Sequence, residues 1–157
     1  QLRPGRVDLR PYYELAPRRE TGSAPDALRA ALQRGVLDRQ LSDVGFCVML
    51  SGGIDSSAIA YHLTEYGARP RAYCAVGSGA GTRPIDERCA REVAEALGLE
   101  LRIVRIPEPD SVALGNVIRV IEMPYKAQVE IAWACWWLAR EMRADGERVT
   151  FSGEPGP

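Results

Sequence analysis

The chain has 157 residues, 46% of them hydrophobic and 26% charged, and a formal net charge of −1. These proportions describe one globular domain large enough to bury a core. They give no electrostatic basis for gripping nucleic acid or an anionic membrane, and no apolar run of about 18 residues is present to cross a bilayer.

Residues 1–25 are rich in Arg, Pro and Gly around Tyr12-Tyr13, which reads as a lead-in segment or linker. Asp26 is the expected cap of a first helix, with Leu28, Ala31, Leu32 and Leu41 on its apolar face and Gly35 weakening its middle. A buried strand is expected at 46–50, then a helix from Ser56 to Tyr66 closed by Gly67 and Pro70. A second strand, Ala72–Val76, leads into a polar, Gly-rich loop, Gly77–Thr82, whose composition suits a plain surface loop better than a lid. A helix follows over Asp86–Leu97, with Cys89, Val93 and Leu97 at i, i+4 and i+8 and Gly98 as its cap. Then come a strand at Leu101–Ile106, a helix at Ser111–Ile121 stopped by Pro124, a long helix at Ala127–Ala144 and a strand at Arg148–Phe151. Trp133, Trp136 and Trp137 lie at helical spacing, which favours core packing over ligand stacking. The alternation of strand and helix predicts an α/β fold, a parallel sheet with right-handed crossovers covered on both faces.

The four cysteines, Cys47, Cys74, Cys89 and Cys135, form no C-x-x-C pair, so reduced thiols in a cytoplasmic setting are expected rather than disulfides or zinc. His62 is the only histidine, which leaves no room for separate Ser-His or Cys-His catalysis unless it supplies the base.

The chemistry is concentrated where the first strand ends. Leu50-Ser51-Gly52-Gly53-Ile54-Asp55-Ser56-Ser57 runs from a buried strand through a glycine turn into a helix. Glycines let backbone N–H groups approach an anion, and the helix start adds unpaired N–H donors and a positive dipole end. Ser51, Ser56 and Ser57 add hydroxyl donors. Asp55 suits an Mg²⁺ ion better than a phosphate oxygen. The Lys-dependent phosphate loop is excluded, because the chain's only lysine is Lys126. Phe151-Ser152-Gly153-Glu154 gives a second strand ending in Ser-Gly. In a parallel sheet both ends can face one crevice.

The string S-G-G-x-D-S resembles the PP-loop of the N-type ATP pyrophosphatases. Asp43 to Ser57, the Ala75-Val76-Gly77 strand end, Asp86-Glu87 with Val93-Ala94 and Leu97-Gly98, and Gly146 to Glu154 together resemble the synthetase domain of asparagine synthetase B and its relatives. The resemblance covers about residues 26 to 154, and 26–157 then reads as the N-terminal part of a Rossmann-like (HUP, adenine nucleotide α-hydrolase-like) domain, apparently truncated. It implies an ATP- and Mg²⁺-dependent ligase that adenylates a small-molecule or peptide carboxylate, releases pyrophosphate and passes the acyl group to ammonia or another amine. On matching positions, Leu50, Val76, Ser152 and Gly153 would hold adenosine. Ser51, Gly52, Gly53, Ser56 and Ser57 would hold pyrophosphate, Asp55 the metal, and Glu154 would act at the reacting centre.

Two departures stand out. The family continues S-G-E-G-x-D-E with a second Mg²⁺-binding Asp, whereas here Glu154 is followed by Pro155-Gly156-Pro157. No N-terminal Cys nucleophile is present, so a glutaminase half, if the protein has one, is expected upstream of Gln1. Two alternatives stay open: an ATP-binding pseudo-enzyme or scaffold of the same fold, and another PP-loop enzyme such as a GMP or NAD synthetase or a tRNA-modifying enzyme.

Overall fold

The computed structural model describes residues 2–3, 6–7, 9–13, 23–78 and 84–153. Within the expected lead-in, β1 (Leu2–Arg3) pairs antiparallel with β2 (Arg6–Val7), a ribbon too short to announce itself in the sequence. The first helix, α1 (Ala24–Leu37), starts ahead of Asp26, with Ser23 at the N-cap position and a proline in its first turn. Proline suits that turn, where an N–H would lack a partner anyway. Gly35 lies within α1 without ending it. The expected apolar face is largely open: Leu28 and Leu32 are exposed, and Leu41 lies beyond the helix, 92% exposed. Val36 is the buried residue of α1, which packs on the next helix.

The body of the fold then alternates as expected: β3 (Phe46–Met49), α2 (Ile54–Glu65), β4 (Ala72–Gly77), α3 (Pro84–Leu97), β5 (Leu101–Ile106), α4 (Ser111–Ile121), α5 (Lys126–Ala144) and β6 (Val149–Phe151). The four strands β3 to β6 form one parallel sheet in the order β5-β4-β3-β6. Val48 stands opposite Ala72 on one side and Phe151 on the other. Successive strand residues point to opposite faces, and the burial follows. Val48, Leu50, Ala72, Cys74 and Val76 share a core with Val36, Ala60, Leu63, Ala90 and Ala94 of α1, α2 and α3. Cys47, Tyr73, Val104 and Ile106 share the other with Val117, Trp133, Leu138 and Met142 of α4 and α5.

Local chemistry sets the ends of these elements. Asp110 caps α4 by accepting from the N–H groups of Val112 and Ala113 at 3.0 and 2.9 Å. Glu122, at φ 55°, closes the same helix in the left-handed region just before Pro124. The tryptophans serve packing: the Trp133 indole N–H donates to the Pro107 carbonyl at 3.0 Å, and its ring meets Trp137 edge-on at 5.8 Å. At the amino ends of the strands, the buried Tyr73 hydroxyl donates to Asp145 Oδ2 at 2.8 Å, and Arg102 donates to Asp145 Oδ1 at 3.0 Å. This joins the start of β4 and β5 to the end of α5. Burial, followed by this carboxylate, pushes the Tyr73 phenol up to about 12. None of the four cysteines forms a disulfide, and no described helix is long and apolar enough to cross a membrane.

Candidate functional site

Strand order decides where the site lies. From β3 the chain winds outward through β4 to β5, then returns through α4 and α5 to place β6 on the far side of β3. The winding direction reverses between β3 and β6, and the crevice beyond their carboxyl ends is where open parallel sheets bind ligands. The two Ser-Gly sequences follow these two neighbouring strands. Both line one cleft of about 470 Å³.

Leu50, Ser51, Gly53, Asp55, Ser56, Ser152 and Gly153 all face this cleft. The turn is held by a small hydroxyl network. Ser51 and Ser56 bring their Oγ atoms to 3.1 Å, Ser51 N–H donates to Ser56 Oγ at 3.3 Å, and Gly53 N–H donates to Ser51 Oγ at 3.3 Å. Gly53 occupies the N-cap of α2 and brings no capping side chain. The first turn of α2 therefore meets the cleft with N–H donors that no cap satisfies. Asp55 is exposed in that turn, with no ion pair or hydrogen bond among the described residues.

The two strand ends touch. A Cβ added to Gly153 would lie 2.7 Å from the Ser56 backbone nitrogen, so only glycine lets β6 approach the α2 turn so closely. Gly52 has a different neighbour. At φ +78°, its missing Cβ would fall 2.5 Å from Cys89 Cβ and 2.6 Å from Ala90 N. It seats α3 behind the turn and does not line the cleft. Ser57 and Val76 do not line it either. The Ser57 Oγ is buried with no hydrogen-bond partner among the described residues, and Val76 belongs to the core on the α3 side. Glu154 lies outside the described residues.

The sequence reading missed the opposite wall. Ile131, Ala134, Cys135 and Leu138 of α5 complete the cleft, with Met49, Tyr73, Ala75 and Thr150 from the sheet. At i, i+3, i+4 and i+7 the α5 residues carry the signature of any core stripe, so no local signal marks them as site residues.

The residues fit a nucleotide polyphosphate with its metal. The glycine at position 153 leaves open a cradle that a Cβ would crowd, an uncapped helix start faces it, and hydroxyls surround it. One carboxylate suits Mg²⁺ when phosphates supply further ligands. No group of three His, Cys, Asp or Glu suited to holding a metal by itself occurs among the described residues.

The fold and cleft define an α/β protein of the PP-loop, HUP class. Two solved structures share this fold. One is an NMN synthetase from Francisella tularensis, with a TM-score of 0.57 and 19% identity, covering 85% of this chain and 56% of that one. The other is an NH3-dependent NAD synthetase from Campylobacter jejuni, with a TM-score of 0.53 and 16% identity, covering 82% of this chain and 56% of that one. More particularly, residues 27–156 match the asparagine synthase family, and the chain belongs to that family. A glutamine-hydrolyzing asparagine synthetase from Asparagus officinalis is 30% identical over 141 residues, 83% of this chain and 23% of the relative. Asparagine synthetase 3 from Arabidopsis thaliana is 28% identical over 150 residues, 91% of this chain and 26% of the relative. The chain thus spans about a quarter of the length of these relatives.

Proposed function

We propose that this chain forms the ATP-cleaving part of an amide-forming ligase. The reading is carried by one observation: two Ser-Gly strand ends meet in a single cleft beneath the uncapped start of α2. In this reading Leu50, Ser152 and Gly153 hold the adenosine half, with Val76 behind them in the same core cluster as Leu50. Ser51, Gly53 and Ser56 hold the pyrophosphate, Gly52 and Ser57 support the turn from behind, and Asp55 anchors Mg²⁺. When bound, the metal would neutralise charge developing on the departing pyrophosphate.

The chemistry asks for positioning more than for covalent catalysis. A carboxylate oxygen of the substrate attacks the α-phosphorus, and the α–β bridging bond breaks to release pyrophosphate. An amine then attacks the acyl carbon, AMP departs with the former carboxylate oxygen, and the amine loses a proton. Glu154, the next residue after Gly153, is assigned that proton or the orientation of the amine. The α2 turn contributes N–H donors fixed before the reaction starts. The relatives are named glutamine-hydrolyzing, which supports ammonia from a glutaminase domain as one amine source. The partners are then small molecules or peptides rather than nucleic acid.

ATP–pyrophosphate exchange in the full-length protein tests this reading. Carboxylate-dependent exchange is expected, and it should disappear in Asp55→Ala with the fold intact. A second reading, an ATP-binding subunit without turnover, has its own support: Asp55 is the only acidic residue lining the cleft among the described residues. ATP binding without exchange would favour it.

A further inference from the structure

β6 is the shortest strand of the parallel sheet, three residues long, and none of the three is buried. Among the described residues it pairs with β3 alone. Yet its far end is placed closely, because a Cβ on Gly153 would lie 2.7 Å from the Ser56 nitrogen. A short ladder and the edge-on contact of Phe46 with Phe151 at 5.0 Å are a small hold for that task.

A second hold lies at the opposite end of the strand. Asp145 is the C-cap of α5, and only Gly146, Glu147 and Arg148 separate it from β6. Its side chain is 15% exposed. The Tyr73 hydroxyl of β4 donates to Oδ2 at 2.8 Å, and the Arg102 guanidinium of β5 donates to Oδ1 at 3.0 Å. Arg71, just before β4, reaches Asp145 at 3.7 Å and Glu147 at 3.9 Å. Hydrogen bonds to a carboxylate are among the stronger ones. The connection turns at Gly146, φ 87°, and Glu147 N–H donates back to the Met142 carbonyl at 2.9 Å. β6 therefore starts from a point tied to β4 and β5.

Resting on the ligase reading, which puts the adenosine half on Ser152-Gly153, we propose that Asp145 is a positioning residue for the nucleotide and acts through β6. Bond geometry fixes the reach of an extended strand, so β6 cannot lengthen to absorb a shift at its start. Such a shift is carried to Ser152-Gly153 or breaks the ladder with β3. The α2 turn does not depend on this anchor, since the Ser51 and Ser56 hydroxyls and the seat of Gly52 on α3 hold it. Loss of the anchor should cost the nucleotide and spare pyrophosphate.

Asp145→Asn in the full-length protein tests this, because it keeps the shape and replaces an acceptor oxygen with an N–H donor that faces donors. Titration calorimetry with Mg²⁺, on samples shown folded by circular dichroism, should find α,β-methylene-ATP bound about tenfold more weakly, less than the roughly hundredfold that a misplacement of about 1 Å can cost in rate. Inorganic pyrophosphate should bind within about twofold of wild type, as expected for independent sites. Asp110→Ala removes the two cap bonds of α4 and touches neither β6 nor its connection. It controls for stability lost elsewhere and should bind both ligands within about twofold of wild type. Arg102→Gln removes the bonds to Asp145 and Glu141 from a half-exposed position. It should weaken the nucleotide in the same direction by a smaller factor, and it carries the test if Asp145→Asn does not fold. Unchanged nucleotide affinity in the variant that folds would overturn the proposal. An equal loss for pyrophosphate, or a matching loss in Asp110→Ala, would overturn it too. A wild type that binds neither ligand would instead refute the ligase reading on which it rests.

Discussion

Gly52 and Gly53 are adjacent in the phosphate-loop sequence, yet replacing them should have different consequences. Gly52→Ala places an L-residue at φ +78°, which costs about 1–2 kcal/mol by itself. Its Cβ would also overlap Cys89 Cβ and the backbone at Cys89 and Ala90 at 2.5–2.6 Å. Backbone atoms of a packed helix cannot rotate away, so α3 must shift, and overpacking of this kind adds about 1–3 kcal/mol. The sum, about 2–5 kcal/mol, is a large fraction of the stability of an ordinary domain. Gly53→Ala sits at φ −71° with its nearest neighbour, Ser51 Oγ, at 3.4 Å. Its cost should be that of a poorer N-cap, about 1 kcal/mol or less. Urea denaturation of the three proteins, followed by circular dichroism, should therefore show a large fall in midpoint for Gly52→Ala and a small one for Gly53→Ala. Equal midpoints for wild type and Gly52→Ala would refute the account of α3 resting against this glycine.

Asp55→Ala should abolish pyrophosphate exchange and leave the denaturation midpoint nearly unchanged, because the side chain is exposed and unpaired among the described residues. Gly153→Ala should weaken binding of an ATP analogue measured by calorimetry, since its Cβ would press on the Ser56 nitrogen from 2.7 Å. Tyr73 predicts an alkaline weakness. Its phenol is raised from 10.0 to about 12 on folding, so its contribution is fully present below about pH 10 and lost as pH rises through about 12. The Cys74 thiol, pushed up to about 11 by burial, adds to that loss from about pH 9 upward. Tyr73→Phe should cost about 1–2 kcal/mol near neutrality, through the lost bond to Asp145, and should flatten the fall in urea midpoint between pH 10 and 12.

The body of the fold was legible because its signals are local and redundant. Phe46 to Leu50 is apolar without interruption, Gly52-Gly53 breaks it, and Gly67, Gly98 and Gly146 each mark a turn at positive φ. One expectation failed where tertiary context outweighed pattern, and one small element gave no signal. Leu28, Leu32 and Leu41 follow an apolar pattern, but α1 packs chiefly on α2 and reaches the core of the sheet only through Val36. The β1–β2 ribbon has two residues per strand, too few for any periodicity to register. In the site, residue type gave the polar side, since Ser, Gly and Asp at a strand end are uncommon without a purpose. It could not give the apolar side. Ile131 and Leu138 look the same whether they face a core or a ligand, and only the placement of α5 on β4 and β5, with this stripe turned to the cleft, distinguishes the two.

The turn itself is held by close backbone packing. Gly52 presses its backbone on the Cys89–Ala90 stretch of α3, and Gly153 presses its own on Ser56 at the start of α2. The loop between β3 and α2 is thus held from both sides by backbone contacts that any side chain would break. The hydroxyl contacts of Ser51 and Ser56 fix what lies between. A site that develops charge during reaction gains most when its donors need no rearrangement at that moment. Parallel pairing of β3 with β6 brings the second clamp, because it sets Val48 opposite Phe151 and so carries Ser152-Gly153 alongside Leu50-Ser51. The crossover from β5 through α4 and α5 to β6 does two things at once. It delivers the second Ser-Gly to the turn, and it lays α5 across the cleft as the apolar wall that faces it.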